Sequence, residues 1–135
     1  MTASVTPLRL ETARVVLIRV DETTDERRAE VRVFLQWETE DHVGIVAGDP
    51  AASGRGHLVA TATLRAVASV DDEDYRLVDA STTRSGGADI AIVVVEDPDG
   101  ERPLVGTAVI DDDNRQVAYA KAALDAVNRR LSRHA

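Results

Sequence analysis

The chain has 135 residues, enough for one domain with a hydrophobic core, and 44% of them are apolar although only 3% are aromatic. Twenty-four acidic residues against sixteen basic ones give a net charge of -8, which repels phosphate backbones and excludes nucleic acid from the expected partners. The absence of cysteine excludes disulfides, zinc-thiolate sites and thiol catalysis.

Neither a secretory leader nor a membrane span is expected. Residues 1–7 have no charged n-region and no apolar h-region, and no apolar run approaches the length that a bilayer requires. We therefore expect a cytoplasmic protein without a membrane partner.

Alternating apolar and polar residues predict strands in two groups of three, and each group is followed by a helix. The strands are expected at 13–20, 28–37, 42–47, 75–81, 89–96 and 103–110. Apolar residues at helical spacing predict helices at 57–70 and 113–133. The stretch 48–56 contains three glycines and a proline and is predicted to be a loop.

The two halves of the chain repeat each other. Residues 60–67 return sixty residues later as 120–127, and Val43-Gly44 corresponds to Val105-Gly106. A repeated unit that cannot bury its own apolar face implies that the copies pack on each other. The sequence therefore predicts one α+β domain over 1–135, built from two βββα repeats at 11–70 and 73–133. Antiparallel sheets would carry both helices on one face, with a pseudo-two-fold axis between the repeats.

The second repeat resembles the C-terminal regulatory domain of 2-isopropylmalate and citramalate synthases. The resemblance is carried by Ala118-Tyr119-Ala120-Lys121-Ala122, by Ala126-Val127-Asn128-Arg129, by Val105-Gly106-Thr107-Ala108 and by Asp74-Tyr75 followed by Gly87-Ala88-Asp89. That family domain has two βββα units, forms dimers and binds a feedback amino acid between subunits. The chain is too short to add the family's catalytic barrel, so a stand-alone, non-catalytic domain is expected.

The resemblance also implies a set of ligand-binding residues. Tyr75 matches a tyrosine that lines the effector pocket, and Ala91 matches a small pocket residue on the next strand. Asp79 stands where the family has a small residue, and His57 replaces a proline. The family's turns ahead of the helices correspond to Gly54, Gly56 and Gly106. Specificity would differ from the family's at the turn 54–57 and at Tyr75.

Other polar residues indicate no further chemistry. The three histidines, His42, His57 and His134, lack the spacing of a metal site, although free N–H groups near His57 at a helix start could hold an anion. The acidic clusters at 21–26, 38–41, 71–74 and 111–113 lack the ligand order of a calcium loop and are interpreted as solvated turns and helix caps. Arg129, Arg130 and Arg133 are attributed to the negative end of a helix dipole.

Three functions remain open. The favoured hypothesis is a homodimeric module that binds a small-molecule effector, an amino acid or a small carboxylate, without a catalytic residue, metal or cofactor. The alternative is a structural or protein-interaction dimer without a ligand. An enzyme with an interface site that uses Tyr75, His57 and Asp79 or Asp74 is the least favoured. The dimer is expected because two alanine-rich helices would leave an apolar helix surface uncovered.

Overall fold

The computed structural model describes residues 15–100, 102–111 and 114–134 and contains two βββα units, as predicted. The first unit consists of β1 (Val16–Thr24), β2 (Ala29–Trp37), β3 (Glu40–Gly48) and α1 (Ala52–Asp71). The second consists of β4 (Arg76–Ser85), β5 (Ala88–Glu96), β6 (Leu104–Val109) and α2 (Arg115–His134). The start of the first predicted strand and Asp113, where the second helix was expected to begin, lie outside the described residues.

Each unit forms its own antiparallel sheet with its second strand in the centre. Sheet 1 has the order β1-β2-β3, and sheet 2 has the order β4-β5-β6. Even the irregularities repeat, because the register of the first strand shifts between Leu17 and Arg19 in sheet 1 and between Leu77 and Asp79 in sheet 2. The sixty-residue repeat seen in the sequence is therefore also a repeat of backbone geometry.

The core lies between the sheets and the helices. Alternate residues of the central strands point inward and are buried, namely Ala29, Val31, Val33 and Leu35 in β2 and Ala91, Val93 and Val95 in β5. Both helices contact each other and the sheet of their own unit, and each also contacts the first strand of the other unit. This exchange of contacts joins the two units into one domain.

The helix α1 begins at Ala52, five residues before the predicted start. Asp49 Oδ1 accepts the backbone N–H of Ala51, and the helix then continues through Gly54 and Gly56. A side chain at Gly56 would collide with the ring of Tyr119 on α2. The prediction of a loop was wrong because close helix packing outweighs the low intrinsic helix propensity of glycine.

The alanine faces of the helices are covered within a single chain. Ala60, Ala62 and Ala66 of α1 have no exposed surface, and the same holds for Ala120 and Ala122 of α2. The apolar helix surface expected from the sequence is therefore not exposed. Among the described residues, the large apolar side chains that are exposed lie on the strands instead: Val16, Ile18, Val43, Ile45, Val78, Val105 and Val109. In the described part of the chain, neither helix combines the length and apolarity needed to span a membrane.

Candidate functional site

A cleft of about 530 Å³ opens where the first turns of both helices meet the middle of β4. Its walls come from three elements: Arg55 and Gly56 on α1, Ala80, Ser81 and Thr82 on β4, and Arg115, Gln116 and Tyr119 on α2. Two guanidinium groups, several hydroxyl or amide groups and an aromatic ring thus line the same cleft. Because partial positive charge gathers at helix N-termini, the cleft favours an anionic occupant.

The cleft lies where the two repeats meet. Arg55 and Arg115 are separated by the sixty-residue repeat, and so are Gly56 and Gln116. The strands have the same sixty-residue correspondence. Glu22 pairs with Val31 in sheet 1, and Thr82 pairs with Ala91, each sixty residues later, in sheet 2. Thr82 therefore occupies the position in the second repeat that Glu22 occupies in the first.

This substitution changes the electrostatics of the two halves. In the first repeat, Glu22 Oε1 lies 3.1 Å from Arg55 Nη1, and the Glu22 side chain is only 17% exposed. Arg55 Nε also donates a hydrogen bond to the carbonyl oxygen of Pro50, at 3.1 Å. In the second repeat, Thr82 is exposed and uncharged, and Arg115 has no carboxylate within 4.0 Å among the described residues. One guanidinium of the cleft is neutralised, and the other is open to solvent.

Four residues predicted from the sequence, Gly54, Gly56, His57 and Asp79, lie at or beside this cleft. Gly56 lines it, and Gly54 lies two residues earlier in α1. His57 is exposed on α1 and its Nε2 lies 3.8 Å from Asp79 Oδ1 at the register shift of β4. His57 lies in the second turn of α1, so the expectation that it lies at the helix start beside free N–H groups was wrong. That pair is too long for a hydrogen bond and gives no acid–base geometry.

The other predicted residues lie elsewhere. Ala91 is fully buried on the inner face of β5. Gly106 is buried under α2, where a side chain would overlap the carbonyl oxygen of Ala122. Tyr75 lines a separate hollow of about 350 Å³ beside α1 and does not line the cleft.

Tyr75 belongs to a polar cluster at the opposite end of α2. Its hydroxyl donates to Asp71 Oδ2 at 2.7 Å and accepts from Arg130 Nη1 at 3.1 Å. Arg130, only 2% exposed, also donates to Asp97, Glu73 and Asp99 at 3.2–3.4 Å. Arg115 and Arg130 are about 22 Å apart along α2 at the helical rise. The cluster is therefore distinct from the cleft.

Two pKa values are perturbed in this cluster. Burial, reinforced by the hydrogen bond to Asp71, raises the pKa of the Tyr75 phenol well above its ordinary value. Burial opposes the charge of Arg130, but the hydrogen bond to Tyr75 and the neighbouring carboxylates outweigh it and hold the pKa of the guanidinium above its usual range. The interpretation of Arg130 as a helix-dipole cation and of 71–74 as a solvated turn was incomplete, since Asp71 and Glu73 take part with Tyr75 in a hydrogen-bond network around the buried Arg130 guanidinium.

Sequence reasoning missed the residues that give the cleft its charge. Arg115 was passed over because it follows an acidic run, and Thr82 because a strand threonine has no distinctive pattern. Aligning the two repeats at their sixty-residue spacing matches Arg55 with Arg115 and Glu22 with Thr82. That alignment would have shown that the second arginine has no acid at the equivalent strand position. Among the described residues, no group of three histidines or acids could hold a metal ion.

Comparison with known proteins finds no family model and no curated protein that matches the chain. The resemblance to the regulatory domain stays a prediction. The functional argument depends on the cleft.

Proposed function

We propose that the protein is a non-catalytic binding module for a small organic anion, an amino acid or a small carboxylate, and that it acts as a homodimer. The observation that carries the proposal is the open Arg115 in a cleft of about 530 Å³ at two helix N-termini. Arginine and helix N-termini both favour carboxylates. Pockets that bind small metabolites have volumes in this range, roughly 300–1,000 Å³.

The lining also fits a ligand with a short apolar part. Ala80, Gly56 and the Tyr119 ring supply apolar surface, while Thr82 and Gln116 offer hydrogen bonds that orient a ligand. The described side chains that line the cleft include no carboxylate or imidazole that could serve as the base for a nucleophile. Binding without chemistry is the activity that these groups support.

The proposal is tested by calorimetric titration of the purified protein with branched-chain amino acids, the corresponding 2-oxo acids and small carboxylates. One class should bind, and Arg115→Gln should weaken it roughly tenfold or more because a charge-assisted hydrogen bond is lost. The matched control is Arg102→Gln, since Arg102 is exposed outside the cleft. A panel without any binder, or binding that Arg115→Gln leaves unchanged, would contradict the proposal and favour a protein-interaction dimer.

The outer face of sheet 2 supports the dimer. Two neighbouring rows across its strands contain Ser81, Ile92 and Thr107 and then Thr83, Ile90 and Val109, with no charged residue in either row. Val105 and Val109 are more than half exposed. In a chain of net charge -8, these two uncharged rows are where a second copy can approach without repulsion, whereas the next row contains Asp79 beside Val94 and Val105. A second copy packing on this face would cover its valines and isoleucines.

A further inference from the structure

The two repeats differ at one charged position of the cleft, and that difference identifies the group that a ligand has to supply. Glu22 gives Arg55 a carboxylate from β1. The equivalent strand position in β4 is Thr82, which lines the cleft beside Arg115 but carries no charge. Among the described residues, the second half of the site thus has the arginine of the first half without its acid.

We propose that the bound ligand is a monocarboxylate, and that its carboxylate faces Arg115 in the position that the Glu22 carboxylate takes opposite Arg55. This inference rests on the proposed function and names its ligand class. A single acid group is expected because Glu22 already neutralises Arg55, so a second carboxylate would lie near Glu22 and be repelled.

The Thr82 hydroxyl fits the same arrangement. Thr82 pairs with the inward-facing Ala91, so its hydroxyl is on the cleft side of β4 and can donate to a carboxylate oxygen that Arg115 leaves free. The Thr82 side chain is shorter than glutamate, so it leaves room in the cleft where the carboxylate of a glutamate would lie. The remainder of the ligand would then extend along Ala80 and the Tyr119 ring.

The substitution Thr82→Glu tests the inference directly, because it restores the acid that the first repeat has. We expect this variant to have a higher melting temperature than the wild type and to lose binding of a branched-chain 2-oxo acid or amino acid. The matched control is Ser85→Glu, an exposed position at the end of the same strand that does not line the cleft. It should keep the ligand and should not gain stability.

A double-mutant cycle shows whether the gain comes from Arg115. The stabilisation by Thr82→Glu should disappear in the Arg115→Gln background, because the new carboxylate then has no partner. Equal stabilisation in both backgrounds, or ligand binding that survives Thr82→Glu, would overturn the inference. The circular dichroism spectrum of each variant establishes that it is folded.

Paired ligands separate this inference from the proposed function. The acid should bind roughly tenfold or more tightly than its neutral primary amide, and a dicarboxylate of similar length should not bind more tightly than the monocarboxylate. If amide and acid bind equally, the cleft is a ligand site but the carboxylate inference fails. If nothing in the panel binds, the proposed function itself fails. Comparing the affinity of a 2-oxo acid with that of the matching amino acid then shows which of these two ligand classes the cleft prefers.

Discussion

At the scale of single residues, Arg130 has the most demanding environment in the described chain. Its guanidinium is almost fully buried and contacts acceptors from two segments, the stretch before β4 and the turn between β5 and β6. A buried cation is tolerated only when several acceptors replace its hydration. Arg130 therefore links the last turns of α2 to both segments through hydrogen bonds.

Replacing Arg130 should be costly. We expect Arg130→Met to lower the free energy of unfolding by about 1–3 kcal/mol, because the largely buried Asp97 carboxylate and Tyr75 hydroxyl lose a hydrogen-bond donor. Urea denaturation measures the change. The matched control Arg84→Met removes an exposed ion pair with Asp89 and should change stability by less than about 1 kcal/mol. Similar losses in both variants would show that the network does not stabilise the fold.

Tyr75 makes stability depend on alkaline pH. Its pKa is raised in the folded protein, so above the ordinary phenol pKa of about 10 the unfolded chain loses a proton that the folded chain keeps. Stability is then fully present below that pH and falls by about 1.4 kcal/mol per pH unit above it. Denaturation between pH 9 and 11.5 measures the slope.

The variant Tyr75→Phe is the control for that slope. It should be less stable near neutral pH, because the hydrogen bonds to Asp71 and Arg130 are lost. Its stability should also decline less steeply above pH 10. An unchanged slope in Tyr75→Phe would assign the alkaline sensitivity to other groups.

At the scale of elements, each helix packs on its sheet through one glycine. Gly44 of β3 faces the backbone of Ala62 and Ala66, and Gly106 of β6 faces Ala122 and Ala126. A side chain at either glycine would overlap a helix carbonyl oxygen. These paired contacts explain why the dipeptides Val43-Gly44 and Val105-Gly106 repeat in the sequence.

Adding one methyl group should separate a helix from its sheet. We expect Gly106→Ala to lower the free energy of unfolding by about 3 kcal/mol, because backbone atoms cannot move aside as a flexible side chain can. Gly86→Ala is the matched control. Gly86 has a positive φ but no atom within 4 Å of the added carbon, so it should cost only about 1 kcal/mol. A smaller loss at Gly106 than at Gly86 would refute the close-approach argument.

The edge strands β3 and β6 are protected by helix side chains at equivalent positions. Arg65 Nη1 donates to the carbonyl oxygen of Ile45, and Asp125 Oδ2 accepts the backbone N–H of Thr107. Arg65 and Asp125 are sixty residues apart, yet they carry opposite charges and satisfy opposite backbone groups. Occupied backbone groups make both edges poorer templates for strand addition.

At the scale of the whole molecule, we expect a dimer that forms through sheet 2. Light scattering should report twice the chain mass at micromolar concentration, and Ile92→Lys should shift the protein to monomers by placing charge at the centre of the face. The matched control Val43→Lys changes an exposed valine on the outer face of sheet 1 and should leave the dimer intact. A monomeric wild type, or equal dissociation by both variants, would contradict this interface.

The sequence predicted the fold better than the site. The strand and helix order followed from apolar periodicity, which is a local property that burial on one face imposes directly. The start of α1 was missed because the packing of Gly56 on Tyr119 is a contact between distant segments. Of the expected site residues, only Gly56 lines the cleft, while Tyr75, Ala91 and Gly106 are held in the core or in the Arg130 network.

The sequence by itself determined the repeated βββα order and the pairing of residues between repeats, because local periodicity and spacing encode both. Only the tertiary structure decided that Arg55 and Arg115 share a cleft, that Glu22 neutralises one of them and that Thr82 leaves the other open. Electrostatic character depends on which charges meet in space, and distances between side chains far apart in sequence are fixed by packing. The unmatched arginine, and with it the expected ligand, is a property of the folded chain.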